Sequence, residues 1–137
     1  MDTSKTYIKM CERAEEIQAL RCEEKHRNTG KWLNGDLYAD IVGKIGMAHP
    51  SYLDAWAEEP HYLHHPIEAI WLPRQDQLQE MLPFHAIEWL LDLFYYWARG
   101  KRNVSPRLNT MEQLWLAFIM EKKYNKTWDG EKWTEVN

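Results

Sequence analysis

The sequence predicts an α+β fold, organised as one domain over residues 1–137. Three observations carry this. Three stretches, near 4–26, 84–100 and 109–125, space apolar residues at helical intervals. Two turn dipeptides, Asn34-Gly35 and Asp129-Gly130, sit between short runs of strand character. At 137 residues the chain has room for one hydrophobic core, not two. The expected architecture is three main helices on one face of a small antiparallel sheet, drawn from the 31–45 region and 68–72, with the C-terminal hairpin as a further contributor.

Each element has its own signal. From Ser4 to about His26, Tyr7, Ile8, Cys11, Ala14, Ile17 and Leu20 step by three or four residues, opposite Lys9, Arg13, Glu16 and Glu23. Gly30 is a plausible stop. In 31–45, Leu37, Ala39 and Ile41 alternate with Tyr38, Asp40 and Val42, the pattern of a half-buried strand. His49 to Pro66 is irregular, with two turns of helix expected over Tyr52 to Glu58 behind a Ser51/Asp54 capping pattern. Glu68 to Leu72 reads as a buried strand closed by Pro73.

Asp76 is then expected to cap a short helix running through Leu82, and Pro83 to supply the first turn of a helix over Phe84 to Arg99. That helix is apolar nearly all round, with only Glu88, Asp92 and Tyr96 marking a wet side, so it is expected to be the central one. In the last helix Asn109 or Thr110 caps, Gln113 reciprocates three residues after Thr110, and Met111, Leu114, Trp115, Phe118 and Ile119 form the buried stripe. The chain closes on a Trp128-Asp129-Gly130 hairpin that must dock on the body.

Composition narrows the function classes. Hydrophobic residues make up 45%, within the globular range. No apolar run is long enough to span a membrane, and the polar, mixed-charge segment Met1 to Met10 does not read as a signal peptide. Net charge is −4; residues 31–70 carry two basic and six acidic side chains, residues 101–137 seven and five. That is far from the basic footprint of a duplex-binding domain. The two cysteines, Cys11 and Cys22, lie eleven residues apart on one expected helix, about 16 Å. They cannot bridge there, so a reducing, cytoplasmic setting is expected. The 8 Trp, 7 Tyr and 3 Phe are an aromatic surplus. Trp71, Trp89, Trp97, Trp115, Trp128 and Trp133 fall on expected buried faces or docking positions; Trp32 and Trp56 do not.

Three stretches together carry a resemblance: Tyr7 to Gln18, Ile70 to Leu82 (IWLPRQDQLQEML), and Thr110 to Phe118 (TMEQLWLAF) running on to Trp128–Trp133 (WDGEKW). They resemble a family of small uncharacterised proteins of bacteriophage and prophage genomes. The resemblance implies a phage gene expressed in the bacterial cytoplasm and carries over no catalytic residue.

Four candidate sites stand out. His61, His64 and His65, with His49, Glu58 and Glu59 nearby, have a spacing seen in Zn²⁺ and other divalent-metal ligand sets. Pro60 and Pro66 bracket them and no His-Glu-x-x-His is present, so the plainer reading is a His-rich loop stacked on Tyr62 or Trp56. Arg74, Gln75 and Asp76 follow a buried strand and enter a helix, where an anion is readily held, with Arg74 the favoured contact. The plainer reading is that Asp76 caps and Arg74 pairs with a surface carboxylate. Arg99, Lys101, Arg102 and Arg107, beside Tyr95, Tyr96 and Trp97, form a stacking-plus-charge pattern for single-stranded nucleic acid or a nucleotide. Trp56 is a candidate partner contact. No nucleophile elbow and no Gly-rich phosphate loop occurs.

Taken together, the sequence favours a non-enzymatic phage accessory protein that binds a host or phage protein or a small ligand, without a cofactor. The alternative is a small hydrolase or nucleotide-processing enzyme built on His49, His61, His64, His65, Arg74 and Asp76. A weak single-stranded nucleic-acid binder is third. An exposed apolar patch would distinguish the first reading, and a pocket of converging titratable groups the second.

Overall fold

The computed structural model describes residues 1–21, 36–40, 42–47, 69–83, 86–101, 103 and 105–137. The fold is α+β. The chain forms two compact units, residues 3–73 and residues 1–2 with 74–137. The Asn34-Gly35 turn, Cys22, Trp32, Trp56 and the segment 48–68 with its histidines lie outside the described residues.

In the unit 3–73, α1 (Lys5–Glu12) starts at Ser4, whose hydroxyl accepts the Tyr7 N–H at 3.2 Å. The single helix expected over 4–26 is broken at Arg13–Ala14, and only one turn, α2 (Glu15–Gln18), follows. Ala14, at φ −89° and ψ 73°, leaves the helical region, and the Cys11 carbonyl accepts the Ala14 N–H at 3.1 Å in a tighter turn in place of the helical bond. The Gln18 amide adds a second donor to Cys11 O at 3.1 Å. The inward face survives the break: Tyr7, Met10, Cys11, Ala14 and Ile17 are all fully buried.

Strands β1 (Leu37–Ala39), β2 (Ile45–Met47) and β3 (Ile70–Leu72) form an antiparallel sheet of order β2-β1-β3, with Tyr38 opposite both Gly46 and Trp71. The expected alternation through Val42 stops earlier, because Asp40 turns the chain. Its carboxylate accepts the N–H groups of Val42 and Lys44, Gly43 takes a φ of +79°, and Val42 is 80% exposed. Gly46 is required opposite Tyr38, whose ring occupies the space a Cβ would fill.

Strand β3 is buried as expected, and among the described residues it is an edge strand. Gln18 closes that edge. Its Oε1 accepts the Trp71 N–H at 2.8 Å and its Nε2 donates to the Trp71 carbonyl at 3.0 Å, so one side chain does what a neighbouring strand would do. The Tyr7 hydroxyl donates to Pro73 O at 2.6 Å and ties α1 to the strand's end. Beside it Arg21 pairs with the buried Asp36 at 2.7 Å and lays its guanidinium over the Trp71 ring at 3.9 Å.

In the other unit, α3 (Gln75–Glu80) begins one residue before Asp76, so Asp76 lies in the first turn and is not the cap. Arg74 holds the cap position, and Gln77 Oε1 accepts its N–H at 2.9 Å. Helix α4 (Ile87–Gly100) begins after Ala86, too late for Pro83 to sit in its first turn. Helix α5 (Met111–Tyr124) is capped by Thr110, whose hydroxyl accepts the Gln113 N–H at 3.2 Å. Gln113 does not reciprocate onto Thr110. Its Oε1 takes the Asn109 N–H, and its Nε2 donates to the Asp2 carboxylate at 2.7 Å, which also accepts from Thr110 Oγ1 at 2.6 Å. A buried carboxylate at a helix N-terminus with two strong donors is satisfied both by hydrogen bonds and by the helix dipole.

The central helix is α5, not α4. Residues Trp115 to Met120 are all buried, and α3, α4 and β4 (Lys126–Trp128) all pack on it. Its end is fixed by Asn125 in the left-handed region at φ 56°. Strand β5 (Trp133–Glu135) pairs with β4, so the C-terminal hairpin forms a sheet of its own and does not join the three-stranded one. Trp128 and Trp133 pack against each other across it, ring centroids 5.0 Å apart. In its turn Asp129 Oδ1 accepts the N–H groups of Glu131 and Lys132 at 2.8 and 2.9 Å, with Gly130 at φ +108°.

Two predictions follow from these bonds. Gln18→Leu leaves the Trp71 N–H and carbonyl without the side chain that meets them and is expected to lower stability by about 2–3 kcal/mol in urea unfolding; an unchanged midpoint would remove its edge-closing role. The bonds from Lys132 and Glu131 hold the Asp129 carboxyl below its ordinary value of 3.8. Its contribution is complete above the unfolded value and lost as pH falls through the lower folded one. Acid titration of the Glu131 and Lys132 amide resonances is expected to give midpoints below 3.8; a midpoint at or above that value contradicts the turn geometry.

Candidate functional site

The geometry of α4 decides where chemistry is possible. Only Leu90, Phe94 and Trp97, a seam at i, i+4 and i+7, are buried. Phe94 stacks on Trp115 with ring centroids 3.9 Å apart and planes 7° from parallel. Phe118 meets both edge-on, at 5.5 and 5.7 Å, and meets Trp97 at 5.3 Å. This cluster sets the rotation of α4 about its axis.

The apolar arc of α4 is wider than that seam. At 3.6 residues per turn, Ile87, Leu91 and Tyr95 form one shoulder and Trp89, Leu93 and Tyr96 the other, with Glu88, Asp92 and Arg99 along the back. All six shoulder residues are exposed, from 41% at Leu93 to 71% at Trp89. The sequence-based expectation that Trp89 is buried is therefore overturned, as is the central place of α4. An indole counts as core only when a neighbour covers it, and among the described residues the main packing of α4 is on α5.

At the C-terminal end of α4 lies a cleft of about 530 Å³. Tyr95 and Trp97 of α4 and Trp128 of β4 give it aromatic lining, and Leu114 and Ala117 of α5 give it aliphatic lining. Three cations face it, Arg99, Lys101 and Arg107, and no carboxylate among the described residues lines it. Lys101 is held by Glu121 at 2.6 Å and lies 5.6 Å from the Trp97 ring centroid; Arg99 lies 5.7 Å from that of Tyr95. Five of the residues singled out for a stacking-plus-charge surface, Arg99, Lys101, Arg107, Tyr95 and Trp97, thus converge. Tyr96 is on the opposite shoulder, and Arg102 lies outside the described residues.

The other candidates stand differently. Arg74 and Asp76 pair with each other in a two-pronged contact, both bonds 3.1 Å, on an exposed surface. The Arg74 guanidinium holds the Asp76 carboxyl below its ordinary value. Neither they nor Gln75 line the cleft. His49, His61, His64, His65 and Trp56 lie outside the described residues, as do the remaining histidines. Among the described residues no group of three His, Cys, Asp or Glu side chains is placed to hold a metal ion. Sequence reasoning did not find Trp128, Asn109 or Thr127 as cleft residues, since their position depends on the docked hairpin and no local pattern reports it. No family model, no curated protein and no solved structure matches this chain.

Phe94→Ala removes the ring that sets α4 and is expected to cost about 3–5 kcal/mol in urea unfolding. A loss under about 1 kcal/mol would mean that the stack does not hold the helix.

Proposed function

We propose that this protein is a non-enzymatic binding module that docks a protein partner on the Trp89, Leu93 and Tyr96 shoulder of α4. The observation that carries the reading is the exposure of these three side chains, 71%, 41% and 70%. They sit at i, i+4 and i+7, the spacing with which one helix anchors in the groove of another protein. Trp and Tyr are the side chains that most often dominate binding energy. Together they offer an apolar patch on the order of 300 Å², large enough for the centre of an interface.

The resemblance to phage and prophage proteins supplies the setting: an accessory protein in the cytoplasm of a bacterial host, acting on a host or phage protein. No helix among the described residues is long and apolar enough to cross a membrane. A hydrolase reading loses support from the mutual pairing of Arg74 and Asp76, which spends both groups on each other.

The double variant Trp89→Ala, Tyr96→Ala separates docking from folding. Because both residues are exposed, stability is expected to change by less than about 0.5 kcal/mol per site, while a partner captured by the wild-type protein from host lysate is lost. Equal capture by wild type and variant would refute the assignment.

A further inference from the structure

Beyond partner docking, and on the opposite shoulder of α4, we propose that the cleft between the end of α4, the connector to α5 and strand β4 binds a nucleoside phosphate. Its size and chemistry point the same way. A volume of about 530 Å³ falls within the range of small-ligand sites and suits one nucleotide better than a chain of them. Tyr95 is 57% exposed and offers a ring face on which a base can stack. Arg99 and Arg107 are exposed, and no carboxylate pairs with either among the described residues. Their planar forks match phosphate oxygens two at a time. Lys101 adds a third cation, fixed by Glu121, so the lining stays positive on a chain whose net charge is −4.

Polar groups for the base edge are also at hand. Asn109 and Thr127 line the cleft and carry an amide and a hydroxyl able both to donate and to accept. A purely apolar ligand would leave the two arginines without a role, and a bare anion would leave the aromatic lining without one.

Calorimetric titration of the full chain with ATP, AMP, adenosine, tripolyphosphate and single-stranded oligonucleotides of increasing length tests this. Saturable binding of ATP is expected, weaker for AMP, and weaker still for both adenosine and tripolyphosphate. Arg107→Ala and Tyr95→Leu are each expected to weaken ATP binding by about tenfold, with unchanged thermal unfolding. Trp89→Ala is expected to leave it unchanged, so loss of partner docking and loss of nucleotide binding are read separately. No saturable ATP binding overturns the proposal. So does tripolyphosphate binding as tightly as ATP, which would make the cleft an anion site. Affinity that climbs steeply with oligonucleotide length would likewise overturn it, in favour of a strand-binding surface.

Discussion

The Phe94–Trp115 stack is the contact on which the unit built around α5 depends. With planes 7° from parallel and centroids 3.9 Å apart, it allows α4 one rotation about its axis. Everything functional on α4 follows from that rotation. Trp97 is turned inward against Phe118, which brings Tyr95 and Arg99 to the cleft side and leaves Trp89, Leu93 and Tyr96 outward on the other. A helix with a narrower apolar arc would have been satisfied by the same seam. This one carries two apolar shoulders that its own unit does not cover, and uncovered apolar area of that extent is unfavourable in water unless something else covers it.

The central helix can be buried so completely because its polar residues are met by partners. Gln113 would be costly in a core, yet its amide is used by Asn109 and Asp2. Gln18 plays the equivalent part in the unit 3–73, where a break in the N-terminal helix and an open strand edge are both satisfied by one amide. Gln18 meets backbone groups that regular secondary structure leaves over, and Gln113 meets one backbone N–H and a buried carboxylate. The apolar surplus is then free to gather on α4, while the titratable groups of the α3 entrance are consumed in pairing with each other.

Local patterns in the sequence were enough for the α+β class, the helix starts near Ser4 and at Asn109 or Thr110, the buried β3 strand, and the Asp129-Gly130 turn. Each depends on residues a few positions apart. What the sequence did not reveal depends on distance. The partners of Gln18 and Asp2 lie 53 and 111 residues away, and no periodicity reports them. Which of two apolar helices is central depends on how many neighbours each acquires, and a helix's own pattern does not contain that number. The cleft was half readable: the basic connector and its adjacent aromatics are contiguous in sequence, whereas Trp128 and Thr127 arrive only when the hairpin docks. The break at Ala14 had no marker at all, since alanine is the best helix former.

The most direct test of the docking claim is a photo-crosslinking amino acid placed at position 89 in bacteria expressing the protein, with position 42, equally exposed in the β1–β2 turn, as the control. The account predicts a discrete cross-linked protein from position 89 and none from position 42. Cross-linking from position 89 that is no greater and no more discrete than from position 42 would contradict it.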